Sequence, residues 1–195
     1  MDNMKLKLSQ SRLDDRRALL RTLDGFKRDL DSTGTMEGID KFNRQAYDVI
    51  LGGVTRAFDL SHEDPAVIAR YDTSTLVPPA KIDKKWNNHK NYRDHGQTLG
   101  KLMLLARRLC EHGSRFVTVT TNFVWDFHAD VNNATLDEGM RYVGMPYDHA
   151  VSAFIEDVEA RGLSDKILLV TCGEMGRTPK INAKGGRDHW GRLGP

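Results

Sequence analysis

The sequence is poor in several features that would assign its class at once. Two cysteines, Cys110 and Cys172, among 195 residues are too few to staple a disulfide scaffold. No apolar run approaches the roughly 20 residues of a spanning helix, so no membrane span is expected. The opening MDNMKLKLSQ has no apolar h-region, which reads as no signal peptide in this chain and leaves the compartment unknown. The net charge is only +2, with 29 Lys and Arg interspersed among 27 Asp and Glu. Neither nucleic acid nor an anionic membrane is therefore an expected partner. The arginines near the start, Arg12, Arg16, Arg17 and Arg21, read as a solvated helix face. A Gly-rich phosphate loop, a G-x-S-x-G elbow, zinc-finger spacing, internal repeats and low-complexity tracts are all lacking. Their absence argues against P-loop, serine-hydrolase, finger and solenoid readings.

What is present is a polar-leaning globular composition, 39% hydrophobic and 29% charged, in 22.0 kDa. That size suits one moderate domain or a large piece of a bigger one. Residues 11–31 read as a helix capped by Ser11, with Leu13, Leu20, Leu23, Phe26 and Leu30 as its apolar stripe. A turn at 32–35 leads to a second helix over 36–51, closed by Gly52-Gly53. Ser61 then reads as the cap of a short helix that has Pro65 in its first turn and runs to Arg70. Residues 1–71 thus form a helical part. Between Asp72 and Gly96 the pattern collapses around Pro78-Pro79, Lys81, Lys84, Lys85 and Trp86-Asn87-Asn88-His89. The 72–96 stretch reads as a long surface loop near a site mouth, and as a candidate boundary.

Residues 97–195 read as a helix followed by a βαβ unit. The helix Gln97–His112 stops at Gly113, and the strand Arg115–Thr121 is rich in β-branched residues. A polar loop runs from Asn122 to about Met145, and a helix from Pro146 to Ala160 ends at Gly162. The run Ile167-Leu168-Leu169-Val170 has the pattern of a strand buried on both faces. Strand, helix and strand in that order predict a parallel, right-handed crossover. Two strands do not make a stable sheet, so further strands, from elsewhere or from a partner chain, are expected to complete it.

Chemistry concentrates in two places. After the Ile167 run the chain turns polar as CGEMGRTP, and Asp188-His189 arrives after a Gly-rich loop. Asp126-Phe127-His128 forms a D-x-H pair whose carboxylate and imidazole can converge on a cation of zinc or manganese type. Ligands of open α/β sheets bind beyond the carboxyl ends of the strands, which would bring Asp126, His128 and Glu174 to one edge. Arg177 has the planar fork that suits phosphate, sulfate or carboxylate. His189 supplies a second imidazole, with Asp188 a ligand itself or the partner that fixes a ring tautomer. The bland alternatives are a solvated Asp126–His128 loop, a Glu174–Arg177 structural pair and an exposed His189. His62, His112 and His149 stand near helix ends, His89 and His95 in or beside the 72–96 loop, and Cys172 reads as a small core residue.

Six segments together resemble a known family: LDDRRALL at 13–20, MEGIDKFNRQAYD at 36–48, AFDLSHEDP at 57–65, ARRLCEHGSRFVTV at 106–119, WDFHAD at 125–130 and GEMGRTPKIN…GRDHW at 173–190. They closely resemble the domain-of-unknown-function 1501 family, sulfatase-like proteins of the alkaline phosphatase superfamily common in bacteria of the planctomycete type. Met175 replaces the Phe of the usual GEFGRTP, and WDFHAD keeps the Asp and His of the usual WDTHG but loses its glycine. The resemblance implies a partial α/β fold of alkaline-phosphatase-like, three-layer type, with a mainly parallel sheet and a metal site at its strand ends. It implies Asp126, His128 and His189 as ligands of one divalent metal (zinc, calcium or manganese), Glu174 as a further ligand and Asp188 as a supporting group. Arg177 would stabilise an anion. Relatives carry an Asp where Glu174 stands, which bears on any second metal.

The family's acidic GGPS-type segment and nucleophile region are expected upstream of Met1, and neither cysteine stands in a sulfatase C-x-P-x-R context. The resemblance also suggests an exported or periplasmic protein. The expected function is therefore a fragment of a metal-dependent hydrolase acting on small-molecule or glycan sulfate or phosphate esters, weak or inactive as the isolated chain. The rival reading is a non-catalytic module that binds sulfated or phosphorylated ligands. A third is an assembly role for the helical first half.

Overall fold

Helix dominates the described parts of the chain. The computed structural model describes residues 8–28, 54–122 and 125–192. These fall into two units, Met1–Asp59 and Leu60–Pro195. In the first, α1 spans Gln10–Arg28, close to the helix expected over 11–31. It starts from Ser9 rather than Ser11: the Ser9 carbonyl accepts from Leu13 N at 3.1 Å and its hydroxyl from Arg12 N at 3.4 Å. Helix α2 is the single turn Val54–Ala57. The expected turn at 32–35, the helix over 36–51 and Gly52-Gly53 lie outside the described residues.

The second unit opens with a 3-10 turn, Leu60–His62, which absorbs Ser61. Helix α3, Pro65–Arg70, is capped instead by Asp64, whose Oδ1 accepts from Ala66 N at 2.8 Å. A carboxylate at that place satisfies a backbone donor the first turn leaves orphaned, and Pro65 has no such donor to lose. Helix α4 runs from His89 to Glu111 and so starts well before Gln97. Its buried stripe continues upstream through Tyr92, His95 and Gly96 to Leu99 and Met103. The spacing is helical, but an aromatic, an imidazole and a glycine carry it instead of aliphatic side chains. The expected stop at Gly113 has φ +90°, a conformation glycine adopts without cost. Helix α5, Leu136–Gly139, passes through a π turn, Met140–Gly144, straight into α6, Met145–Ala160. Gly162 ends α6, and Leu163 N bonds back to the Val158 carbonyl at 2.9 Å.

Two apolar clusters hold this unit. In one, Leu99, Met103 and Leu104 of α4 meet Ala150, Ala153, Phe154 and Val158 of α6, with Tyr71 between them. In the other, Val77, Ile82 and Trp86 surround Tyr92, Phe127, Ala134, Tyr142 and Val143. The 72–96 stretch is thus no surface loop. Up to Trp86 its scattered apolar residues have neither helical nor strand spacing and fill the core without regular structure, apart from one 3-10 turn at Pro79–Lys81, while residues 89–96 belong to α4.

The expected parallel sheet is absent: no strand occurs among the described residues, only an isolated antiparallel bridge between Arg177 and His189. Around Arg115–Thr121 and Ile167–Val170 burial alternates as in a one-sided strand, and Val119, Ile167 and Leu169 pack on the α4–α6 cluster. The residues between them face outward, Phe116 being 88% and Leu168 86% exposed. The Ile167 run is therefore half-buried on one face rather than buried on two, and the described residues do not form the three-layer alkaline-phosphatase-like arrangement. The helix pair already buries the inward side chains, while a parallel pair of two short strands adds little stability of its own. Cys172, at the end of that run, is exposed rather than a core residue.

A buried charge network closes the α4–α6 seam. Arg107, 1% exposed, donates through Nε to Asp157 and through Nη2 to Glu63, both at 2.8 Å. Arg108 and Arg161 also reach Glu63, at 2.6 and 2.9 Å, and Tyr71 Oη donates to Asp157 at 3.0 Å. Burial raises the Glu63 carboxyl, but hydrogen bonds from Arg108 and Arg107 and the charges of Arg107 and Arg161 outweigh it. They hold the group at about 2, against an ordinary 4.5. Arg107→Met is expected to cost about 3–5 kcal/mol in urea unfolding, because two buried carboxylates lose their shared cation. A depressed carboxyl contributes stability above its unfolded pKa, and that contribution is lost as pH falls through the folded one. Acid titration should therefore erode stability from about pH 4.5 toward 2, with a shallower slope in Glu63→Gln.

Candidate metal centre

Phe127 fixes the D-x-H pair. Its ring lies in the second apolar cluster against the bare backbone of Gly139 in α5, where an added Cβ would stand 2.1 Å from the ring. With that side chain committed to the core, its neighbours Asp126 and His128 meet on the other side of the segment. The main chain there is pinned from one direction by the loop 182–187. Arg187 N donates to the Phe127 carbonyl at 2.7 Å, and Asn182 Nδ2 to the His128 carbonyl at 2.9 Å. The close approach needs Gly186, whose Cβ would fall 2.2 Å from the His128 carbonyl carbon. Ala129 follows with φ +54°, in the left-handed region that costs a side-chain-bearing residue about 1–2 kcal/mol.

The third donor arrives on a turned-back segment. Thr178 N bonds to the Asp188 carbonyl and Trp190 N to the Gly176 carbonyl, both at 2.9 Å, so that Gly176–Thr178 runs antiparallel to Asp188–Trp190. This places His189 beside His128, with Nε2 atoms 3.1 Å apart and ring centroids 4.6 Å apart. Asp126 Oδ1 is 3.4 Å from His128 Nε2 and 3.3 Å from His189 Nε2. One donor atom from each of Asp126, His128 and His189 lies within 4.8 Å of the others, a group that could hold a metal ion. The three separations also pass a stricter test. Bonds of zinc length set the corners of a tetrahedron about 3.3 Å apart, so the donors need little movement to share one ion.

Charge at the centre is balanced from within the chain. Asp126 is buried, and Arg177 donates to its Oδ1 through Nη2 while Nη1 lies 3.3 Å from His128 Nε2. Burial pushes the Asp126 carboxyl up, but hydrogen bonds from Arg177 and His189 and the charges of Arg177 and His128 more than offset it and leave it below the usual range. Asp188 Oδ1 lies 3.2 Å from His128 Nδ1. In a neutral ring that contact puts the proton on Nδ1 and leaves the lone pair of Nε2 facing Asp126 and His189.

Of the four residues expected to ligate, three come together. Glu174 is exposed in a bend and lies outside the group, and it makes no ion pair with Arg177. Arg177, expected to hold an anion, is engaged with Asp126. His95, expected in or beside a loop, is buried on α4, with its ring nitrogens 3.1 Å from Thr121 Oγ1 and 3.2 Å from the Val143 carbonyl. Sequence reasoning missed Asn182 and Gly186. Both fall inside the quoted segments, Asn182 ending GEMGRTPKIN and Gly186 opening GRDHW, but an amide and a glycine there carry no sign of what they would touch. A pocket of about 570 Å³ opens beside the centre, lined by His128, Asp130, Asn182, Lys184 and Asp188 among others.

The family described as protein of unknown function (DUF1501) matches residues 3–193. No curated protein and no solved structure matches the chain.

The close contact at Gly186 makes a direct prediction. Gly186→Ala should lower stability by about 1–3 kcal/mol in urea unfolding, the range for forced overpacking. Gly191→Ala, where a Cβ meets nothing within 4 Å, should change it by no more than about 0.5 kcal/mol. Equal effects at the two positions would remove the Gly186–His128 contact from the account of the site.

Proposed function

The chain belongs to the DUF1501 family, and we propose that it carries the divalent-metal half of a hydrolase-like centre for sulfate or phosphate esters. The observation that carries this reading is the mutual spacing of the Asp126, His128 and His189 donor atoms, 3.1–3.4 Å. Two imidazoles and a carboxylate suit zinc or manganese, whereas calcium takes oxygen ligands, so the donor set argues against calcium. A bound divalent ion would act as a Lewis acid toward an ester oxygen. Asp126 supplies the compensating negative charge. Asp188 holds the His128 ring by its far nitrogen. Arg177 now neutralises Asp126. With a cation held by Asp126, His128 and His189, the Arg177 fork would be available to an anionic oxygen.

A second reading, metal-free binding of sulfated or phosphorylated ligands, is favoured by Lys184 on the pocket wall with Arg177 nearby. Asp130 and Asp188 on the same wall weigh against it.

Calorimetric titration separates the two. Zinc or manganese is expected to bind at one ion per chain, with affinity reduced about 10-fold or more in His189→Ala. Arg177→Met should retain the ion but lose phosphate or sulfate at the loaded site. Sulfated glycan held in excess chelator, and lost in Lys184→Ala, would favour the metal-free reading. A wild-type chain that takes up neither metal would remove the primary one.

A further inference from the structure

The Asn182 side chain is engaged at both ends, its amide nitrogen donating to the centre and its amide oxygen accepting from the turn. Its Nδ2 donates to the His128 carbonyl at 2.9 Å and to Asp188 Oδ1 at 3.2 Å, with Asp188 Oδ2 at 3.4 Å. Its Oδ1 accepts from Lys184 N at 3.0 Å and from Gly186 N at 2.9 Å. Its main chain closes the same turn, with Asn182 N on the Gly186 carbonyl at 2.7 Å and Gly185 N on the Asn182 carbonyl at 3.0 Å. Two acceptors at one end and two backbone donors at the other leave a single amide orientation. A carboxylate at this position would oppose both Asp188 and the His128 carbonyl, and an aliphatic side chain would satisfy none of the four groups.

We propose that Asn182 is the positioning residue of the centre, holding the Asp188 carboxylate on Nδ1 of His128 while gripping the main chain of the same histidine. The inference rests on the metal reading above only for its consequence. By fixing ring and backbone together, Asn182 decides which imidazole nitrogen faces Asp126 and His189. Without its donor, Asp188, whose side chain is 54% exposed, is free to turn to solvent. His128 then loses the partner that selects its Nδ1–H tautomer, and Nε2 carries a proton for part of the time where a lone pair is needed. Asn182 touches no substrate and acts through Asp188 and His128.

The test uses the full chain with Asn182→Asp, which keeps the shape and the acceptor but removes the donor. Asn182→Ser serves as a smaller replacement should the first variant fail to fold. In the metal-free proteins, long-range ¹H–¹⁵N spectra at alkaline pH report the His128 tautomer, which a merely structural contribution of the loop would leave alone. Wild type is expected to show the Nδ1–H form and the variants a mixture of both forms. Cobalt(II) titration should show affinity falling roughly 10- to 100-fold in the variants, the range for losing a group that orients a ligand. If the folded variants keep the wild-type tautomer, the proposal is overturned. If wild type binds no cobalt(II) while the variants still mix tautomers, Asn182 is confirmed as the positioning group and it is the metal reading that fails.

Discussion

The guanidinium of Arg107 is the tie on which the larger unit depends. It is fully buried and shared between Asp157 of α6 and Glu63, which precedes α3, so one side chain of α4 fixes three parts of the chain at once. A buried cation with two carboxylates is a costly arrangement to assemble and a costlier one to break. Its geometric effect is to set how α4 and α6 lie together, with Leu99, Met103 and Phe154 packed in the seam. The second apolar cluster builds outward from that frame. Tyr92 comes from the first turn of α4 and Val143 from the π turn leading into α6, and between them they define the place that Phe127 fills.

From Phe127 outward the logic becomes electrostatic. The ring anchors a segment whose flanking residues are a carboxylate and an imidazole, and a second imidazole is delivered by a turn about sixty residues further along the chain. Bringing these polar groups together in a half-buried place needs compensation. Arg177 provides it for Asp126, and Asp188 with Asn182 provides it for His128. The positive φ of Ala129 and the missing side chains of Gly139 and Gly186 are the backbone conditions for that closeness. Strained or crowded backbone of this kind persists where the surrounding structure over-determines it, and here it brackets His128.

Much of the helical framework is legible from local chemistry. Gly113 and Gly162 mark the ends of α4 and α6 because only a residue without Cβ turns there freely. The apolar stripe of α4 from Leu99 onward is plain, whereas its first turns are hidden because Tyr92, His95 and Gly96 do not look like core. The 72–96 stretch misleads for a related reason. Val77, Ile82 and Trp86 bury themselves without a repeating interval, so no periodicity announces them. The apolar runs at 115–121 and 167–170 look like sheet, because alternation and β-branching report one-sided burial as readily as strand pairing. What covers the buried side turns out to be a helix pair.

The sequence alone determined the local features of this protein: where helices end, the two-residue spacing of Asp126 and His128, and a polar, Gly-rich turn before His189. These depend on backbone conformation and on neighbours a few positions apart. Only the tertiary structure decided which donors share a site, that Glu174 stands apart from them, that Arg177 answers Asp126, and that an asparagine in an unremarkable turn grips both His128 and Asp188. Apart from Asn182 on Asp188, six positions along, those outcomes rest on contacts between residues about fifty to sixty positions apart. Their energies come from burial and hydrogen-bond geometry that exist only once the chain has closed.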